Sequence, residues 1–389
     1  MQINESVQGI QSEMTEWRRH LHAHPELGFE EHATAHFIAE RLRGWGIDTV
    51  TGIAGTGVVG TLRGALGPGD AITIRADMDA LPMTELQDHP YASRHPGRMH
   101  ACGHDGHVAM LLGAARCLAL QPKFKGTVHF VFQPAEEGLG GAKAMLEEGL
   151  FTRFPADEVY ALHNSERPFG QVVIYDGAVA ASADQFEIAI TGRGGHAATP
   201  HFAIDPIPIA ARLILALEAI PGREIEAAKP AVVSVTQMRA GRTFNVIPEQ
   251  AVIAGTVRTF DPEVRDRLEA AIRRTANGLA AAFGATATCS YNRIFPPTIN
   301  SAPQADFMAS VADDVVGDEN VLRNPPPEMG SEDFSYMLQV KPGCYFLLGQ
   351  GDTGHQACAH DPRYDFNDAL LSIGASLWVR LVERRLRVA

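Results

Sequence analysis

The sequence predicts an α/β fold, a mostly parallel sheet covered by helices, interrupted by an inserted α+β sandwich. Three observations predict it. Apolar strand-like runs alternate with helix-like segments between residues 71 and 164, and the same alternation returns after residue 331. Between them, several segments alternate polar and apolar residues in the manner of half-exposed strands. The flanking α/β elements belong together, so the middle segment reads as an insertion. The predicted division is one discontinuous domain, 1–181 and 294–389, and an inserted domain, 182–293.

Taken in order, Val7, Ile10, Met14, Trp17 and Leu21 recur at helical spacing and mark an amphipathic helix. "AITIRAD" (71–77) reads as a buried strand, and "HVAMLLGAARCLAL" (107–120) as a helix. "GTVHFVFQ" (126–133), "GAKAMLEEG" (141–149) and "DEVYALHN" (157–164) then read as strand, short helix and strand. Such alternation implies parallel strands joined by crossover helices. In the middle, strands are expected at 182–192, 231–241, 250–260 and 285–293, with helices near 206–219 and 262–283. That order is βαββαβ, one antiparallel sheet with two helices. The final elements are a helix at 331–340, the strand "GCYFLLG" (343–349) and a helix at 367–386.

Composition narrows the function. A formal charge of −13 argues against nucleic acid, whose binders concentrate Lys and Arg on one face. No apolar run is long enough for a membrane span. The first residues lack a basic start followed by an apolar core, and the five cysteines form no disulfide framework. The expected location is cytoplasmic.

In open α/β sheets ligands bind beyond the carboxyl ends of the strands. Strand 71–77 delivers Asp77 and Asp79 there, strand 126–133 runs into "PAEEG" with Glu136 and Glu137, and the strand at 157–162 ends at His163. The last strand is followed by a loop holding His355 and His360. Cys102, His104, Asp105 and His107 sit just before a helix in the same part of the fold. A lone histidine, a pair of glutamates or a single cysteine is usually structural, but unrelated structural residues would not all fall at one sheet edge. Mixed S, N and O donors suit Zn²⁺, Mn²⁺, Co²⁺ or Ni²⁺ rather than Ca²⁺ or Mg²⁺. A thiolate that can bridge two cations, with ligands from several loops, supports a two-metal site that activates water. One carboxylate must stay off the metal as general base, and the Glu–Glu pair can supply both roles. His20, His22, His24, His32 and His36 read as helical surface. His89, His95, His100 and His107 read as loop, packing or supporting residues.

"MHACGHDGH", "PAEEG", "ALHN", "GRGGHAATPH", "FNVIPEQAVIAGTVRTF" and "MGSEDFSYM" closely resemble the aminoacylase/carboxypeptidase family of metallopeptidases. Within it they are similar to the branch of hippurate hydrolases, N-acyl-amino-acid amidohydrolases and indole-acetyl-amino-acid hydrolases. The resemblance runs from "RRHLHAHPELGFEE" to "ACAHDPRYDFND". It implies a dinuclear metal-dependent amidohydrolase acting on N-acyl amino acids. Cys102, His104, Glu137, His163 and His360 would be the metal ligands, Cys102 bridging, with Mn²⁺ the expected ion. Glu136 would be the general base, and Asp79 a carboxylate that orients the metal-site groups. His196 would stabilise the oxyanion, often across a dimer, while Asn245 and Arg258 would contact substrate. A homodimer or homotetramer through the inserted domain is implied, with closure of the two domains assembling the site. One departure is the strand end Asp77–Met78–Asp79, where the wider family carries His-x-Asp, and Cys102 in place of a bridging Asp. It favours the hippurate hydrolase branch.

Three alternatives stand beside this reading. One is a dipeptidase or carboxypeptidase-like hydrolase, or an N-acetyl-diaminopimelate deacetylase. A second is a cysteine-nucleophile enzyme with Cys102 activated by His104. It leaves Glu137, His163 and His360 unexplained, which disfavours it. The third is a non-catalytic, metal-stabilised dimeric binding protein.

Overall fold

The computed structural model describes residues 1–351 and 357–387. Its contacts divide into two compact units. The first comprises Met1–Val179, Ile299–Pro327 and Asp333–Ala389, and the second Ala180–Thr298 with Glu328–Glu332.

The first unit is built on an eight-stranded sheet. In spatial order its strands are Asp48–Ile53, Gly57–Arg63, Thr127–Gln133, Ala71–Asp77, Glu158–Ser165, Gly343–Gly349, Val172–Ile174 and Val321–Arg323. The four central strands, from Thr127–Gln133 to Gly343–Gly349, are parallel. The Asp48–Ile53/Gly57–Arg63 hairpin joins antiparallel to one edge of this block. Val172–Ile174 lies antiparallel to Gly343–Gly349 at the other. The sheet is therefore mixed at its margins and parallel at its centre, the α/β class the sequence predicts.

Period-two alternation sends successive side chains to opposite faces. Phe130 and Phe132 enter one core while Val131 enters the other, and Tyr160 and Leu162 likewise oppose Val159 and Ala161. Both faces are covered, so the central strands are apolar throughout. The larger core holds helices Gln11–Ala23, His32–Gly44, His104–Leu120, Ala302–Val316 and Leu370–Arg385. Helix His104–Leu120 packs on Gln11–Ala23 and Leu370–Arg385 and is buried nearly all round. The smaller core is closed by Gly141–Glu147, Leu150–Arg153 and Ser335–Val340.

The second unit has the βαββαβ order. Its sheet runs Ala231–Ala240, Gln250–Thr259, Ala183–Thr191, Thr286–Phe295, all antiparallel. Phe186, Ile188 and Ile190 share one face with Ala251, Ile253 and Val257 under helices Pro206–Glu224 and Pro262–Ala282. Each helix starts on an Asp-Pro pair: Asp205 Oδ1 accepts the Ile207 N–H at 2.9 Å, and Asp261 Oδ1 the Glu263 N–H at 2.8 Å. An aspartate cap ahead of proline at the first turn is a strong start signal. Among the described residues, no helix is long and apolar enough to cross a membrane.

Candidate metal centre

The carboxyl ends of three central strands and the start of one helix bring the predicted donors together. Asp77 ends strand Ala71–Asp77, with Asp79 just beyond; Glu136 and Glu137 follow strand Thr127–Gln133; His163 lies near the end of Glu158–Ser165. His104 opens helix His104–Leu120, and the turn into it passes through Gly103 at φ +95°, where a Cβ would lie 2.3 Å from Asn164 Oδ1. Only glycine fits there. Two non-glycine residues adopt left-handed φ at the site, Ala135 at 54° and His360 at 67°. Such conformations cost about 1–3 kcal/mol each and persist where surrounding bonds fix them. Here the Ala135 N–H donates to buried Glu31 Oε1 at 2.9 Å, and the His360 N–H to the Ala101 carbonyl at 2.7 Å.

The side chains are aimed by a second layer of hydrogen bonds. His104 Nδ1 donates to the Asp79 carbonyl at 2.9 Å and lies 3.2 Å from its Oδ1. Asp79 Oδ2 accepts the Glu137 N–H at 3.0 Å. His163 Nδ1 donates to the Asn164 carbonyl at 2.7 Å, which leaves Nε2 3.3 Å from Cys102 Sγ. His360 Nε2 lies 3.3 Å from Glu137 Oε1. Donor atoms of Cys102, Glu137 and His360 fall within 4.8 Å of one another, and so do those of His104, Glu136 and Glu137. Glu137 belongs to both groups. His355 lies outside the described residues.

These residues fit divalent cations. Among the described residues His104 Nε2 is buried with no hydrogen-bond partner, an arrangement costing about 1–3 kcal/mol unless something ligates it. Burial pushes the Cys102 thiol up to about 12, against the pull of His104, so the thiolate that the donor set offers needs a cation to exist. Burial, reinforced by His107, pushes His163 down to about 3, keeping its Nε2 lone pair free. Neutral imidazole, thiolate and carboxylate are the donors that Zn²⁺, Mn²⁺, Co²⁺ and Ni²⁺ accept.

A further grouping, Asp77, His104, His107 and His163, also has donor atoms within 4.8 Å. Asp77 and His107 are already engaged, however. His107 Nδ1 lies 2.5 Å from Asp77 Oδ1, His107 Nε2 lies 2.7 Å from Asn164 Oδ1, and Arg75 Nη1 donates to Asp77 Oδ2 at 2.7 Å. Burial opposes charge on Asp77, but His104, His107 and Arg75 hold it well below the usual carboxylate range. Asp77 Oδ2 also lies 3.8 Å from His104 Nε2.

One expectation needs correction. His22 is not on the helix surface: it is fully buried, with Nδ1 2.8 Å from Asp105 Oδ2 and Nε2 3.3 Å from Glu85 Oε1. Arg18, equally buried, reaches the same Asp105 oxygen at 3.0 Å. Both residues therefore anchor the first turn of the His104 helix. Cys102 and His104 flank the left-handed turn at Gly103, and their side chains interact. A cysteine nucleophile is still a poor fit, because a thiol held this high is the opposite of an activated one.

His196, Asn245 and Arg258 lie in the second unit. His196 pairs with Val246 in a short antiparallel ladder, and the Ala197 N–H donates to the Asn245 carbonyl at 3.0 Å, so His196 and Asn245 are neighbours. Both side chains are exposed. Arg258 is half-buried on strand Gln250–Thr259, and its Nη1 has no hydrogen-bond partner.

A model of peptidase family M20/M25/M40 matches residues 73–384. The chain belongs to that family. It is 40% identical over 391 residues to the hippurate hydrolase of Campylobacter jejuni subsp. jejuni serotype O:2, covering 100% of both chains. It is 39% identical over 379 residues to IAA-amino acid hydrolase ILR1-like 2 of Arabidopsis thaliana, covering 96% of this chain and 85% of that one. Among solved structures, the Bacillus subtilis YXEP protein, a dinuclear metal binding peptidase from the M20 family, matches with a TM-score of 0.85 at 33% identity. That match covers 97% of this chain and 99% of the other. The M20/M25/M40 protein is accordingly a hydrolase with the α/β architecture of its family, and its strand ends carry the candidate metal-binding groups.

Proposed function

We propose that the protein hydrolyses the amide bond of N-acyl amino acids of the hippurate type, releasing a carboxylic acid and a free amino acid. Cys102, His104, Glu137, His163 and His360 would hold two divalent cations, Mn²⁺ first, with Zn²⁺, Co²⁺ and Ni²⁺ suited to the same donors. The observation that carries this reading is the convergence of sulfur, nitrogen and carboxylate donors on Glu137, with Glu136 beside it. The name of the hippurate hydrolase, 40% identical over the full length, supports the substrate class. When bound, the cations would supply Lewis acidity to the amide oxygen and make a water more acidic.

The chain's own residues do the rest. Glu136, 7% exposed, takes the proton from the attacking water and delivers it to the leaving nitrogen. Asp79 keeps His104 in the tautomer that presents Nε2 and fixes the main chain at Glu137. His196 Nδ1 accepts the Ala198 N–H at 3.0 Å, so the neutral ring carries its proton on exposed Nε2. To that N–H we assign stabilisation of the tetrahedral oxyanion. The orphaned Nη1 of Arg258 suits a bidentate grip on the substrate carboxylate, and the exposed side chain of Asn245 a hydrogen bond to substrate. We assign a homodimer or homotetramer formed through the second unit, whose strand Ala231–Ala240 leaves one edge of the sheet open, and a cytoplasmic location.

The test is amine release from N-benzoyl-glycine, N-acetyl-methionine, an indole-acetyl conjugate, N-acetyl-diaminopimelate and a dipeptide, each with Mn²⁺-loaded and chelator-stripped protein. Metal-dependent turnover highest on the acyl amino acids supports the reading. Turnover confined to the dipeptide or the diaminopimelate derivative replaces it with a peptidase or deacetylase. Silence across the panel in Mn²⁺-loaded protein favours a non-catalytic descendant.

A further inference from the structure

Beneath the ligand loops lies a buried charge network that the proton-transfer scheme leaves unused. Arg75, 1% exposed, sits two residues before the end of strand Ala71–Asp77. Besides Asp77, its guanidinium reaches Gln133 Oε1 from Nε at 2.8 Å and Asp333 Oδ1 from Nη2 at 3.0 Å. Gln133 Nε2 donates to both Asp333 oxygens, at 2.8 and 3.0 Å, and the Ala142 N–H donates to Asp333 Oδ2 at 2.8 Å. Gln133 is the last residue before the loop that carries Glu136 and Glu137, and Ala142 lies in the first turn of the helix that follows it. One carboxylate therefore ties together both ends of that loop.

Asp333 also touches the loop's contents. Its main-chain N–H donates to Glu136 Oε1 at 3.4 Å. That N–H is available because helix Ser335–Val340 begins only after it. Burying a guanidinium among carboxylates is costly unless every hydrogen bond is made, and apolar side chains of equal volume would often fill the space as stably. Stability alone gives little reason for the network, whereas its reach to Glu136 gives a specific one.

We propose that Asp333, pinned by Arg75, Gln133 and the Ala142 N–H, is a positioning residue for Glu136. Its carboxylate closes the loop at its base, and its N–H holds one oxygen of Glu136 and so sets which oxygen faces the attacking water. This rests on the reading of Glu136 as the base. A displacement near 1 Å at such a group costs roughly 10²-fold in rate. Asp333→Asn turns an NH₂ group toward the donors that now converge on it. Gln133→Leu, of similar volume, removes the amide that donates to both Asp333 oxygens and accepts from Arg75 Nε, while leaving the Arg75–Asp333 pair.

The experiment compares wild type, Glu136→Gln, Asp333→Asn, Gln133→Leu and the Glu136→Gln/Asp333→Asn double variant. For each we would measure steady-state hydrolysis of N-benzoyl-glycine, Mn²⁺ binding by calorimetry, and thermal unfolding. The expected result is a kcat about 10–100-fold lower in Asp333→Asn and about 5–10-fold lower in Gln133→Leu, with KM and Mn²⁺ affinity within about threefold of wild type. The double variant should be no slower than Glu136→Gln alone, whereas a merely structural defect would slow it further and weaken Mn²⁺ binding. Should Asp333→Asn fail to fold, Gln133→Leu carries the same comparison. Wild-type kcat in folded Asp333→Asn and Gln133→Leu, with Glu136→Gln inactive, overturns the inference and leaves the base standing. Normal turnover by Glu136→Gln overturns the base, and this inference with it.

Discussion

His104 donates its Nδ1 proton to the main-chain carbonyl of Asp79 at 2.9 Å, and this one bond decides which ring nitrogen faces the candidate metal centre. Nε2 is left buried without a partner. The same aspartate receives the Glu137 N–H on Oδ2, so groups from two different elements are aligned by one residue, His104 mainly by its main chain and Glu137 by its side chain. A ligand layer held this way is set before any ion arrives.

Asp79→Ala keeps the carbonyl that fixes the His104 tautomer but removes Oδ1 from beside His104 and the Oδ2 acceptor of the Glu137 N–H. It should therefore weaken metal binding without removing a proposed ligand. Loss of an outer partner typically costs about 10–100-fold in metal affinity. Calorimetric titration of Mn²⁺ into chelator-stripped wild type and variant would measure it. Equal affinities would show that His104 and Glu137 hold their orientation unaided.

Arg258→Lys tests the carboxylate grip. A lysine keeps the charge but cannot reproduce a planar two-point contact. KM for N-benzoyl-glycine should rise about 10-fold or more while kcat changes little, and N-benzoyl-glycinamide, which has no carboxylate, should be insensitive to the change. A parallel loss on both substrates would place Arg258 elsewhere in the chemistry.

The reach of the sequence can be judged element by element. Segments long enough to show a period were legible: the apolar runs of the central strands mark a sheet covered on both faces, and strict alternation marks the half-exposed strands of the second unit. Val172–Ile174 and Val321–Arg323 are too short to show any period, and their pairing is decided by what lies beside them. Chemistry-bearing residues next to strand ends were legible because the fold class says where such ends point. Residues that act from behind were not. Arg75 reads as one more position in "AITIRAD", and its partner Asp333 is 258 residues away. His22 looked like helix surface because its charged neighbours, Asp105 and Glu85, come from distant segments.

A pH dependence follows at the amino end of strand Glu158–Ser165, opposite the end that carries His163. Glu158 begins strand Glu158–Ser165, where Arg385 Nε donates to Oε2 at 2.7 Å and Nη2 to Oε1 at 3.0 Å. Burial opposes its charge, but Arg385, Gln304 and Tyr160 together hold its carboxyl below the usual range. A depressed carboxylate stabilises the fold above its unfolded pKa of about 4.3, and that contribution disappears as pH falls through the lower folded value. Glu158→Gln should thus lose about 1–2 kcal/mol at pH 7 and progressively less below pH ~4. Urea unfolding of stripped wild type and variant at several pH values would show it. A difference that stays constant with pH would assign the loss to packing instead of charge.

The central claim is that amide hydrolysis runs on two cations held at these strand ends. The most direct measurement is turnover of N-benzoyl-glycine by chelator-stripped protein as Mn²⁺ is added back in known equivalents. The account predicts no turnover in the stripped protein and full recovery only near about two equivalents per chain. Full turnover by the stripped protein, with no response to added Mn²⁺, would contradict it.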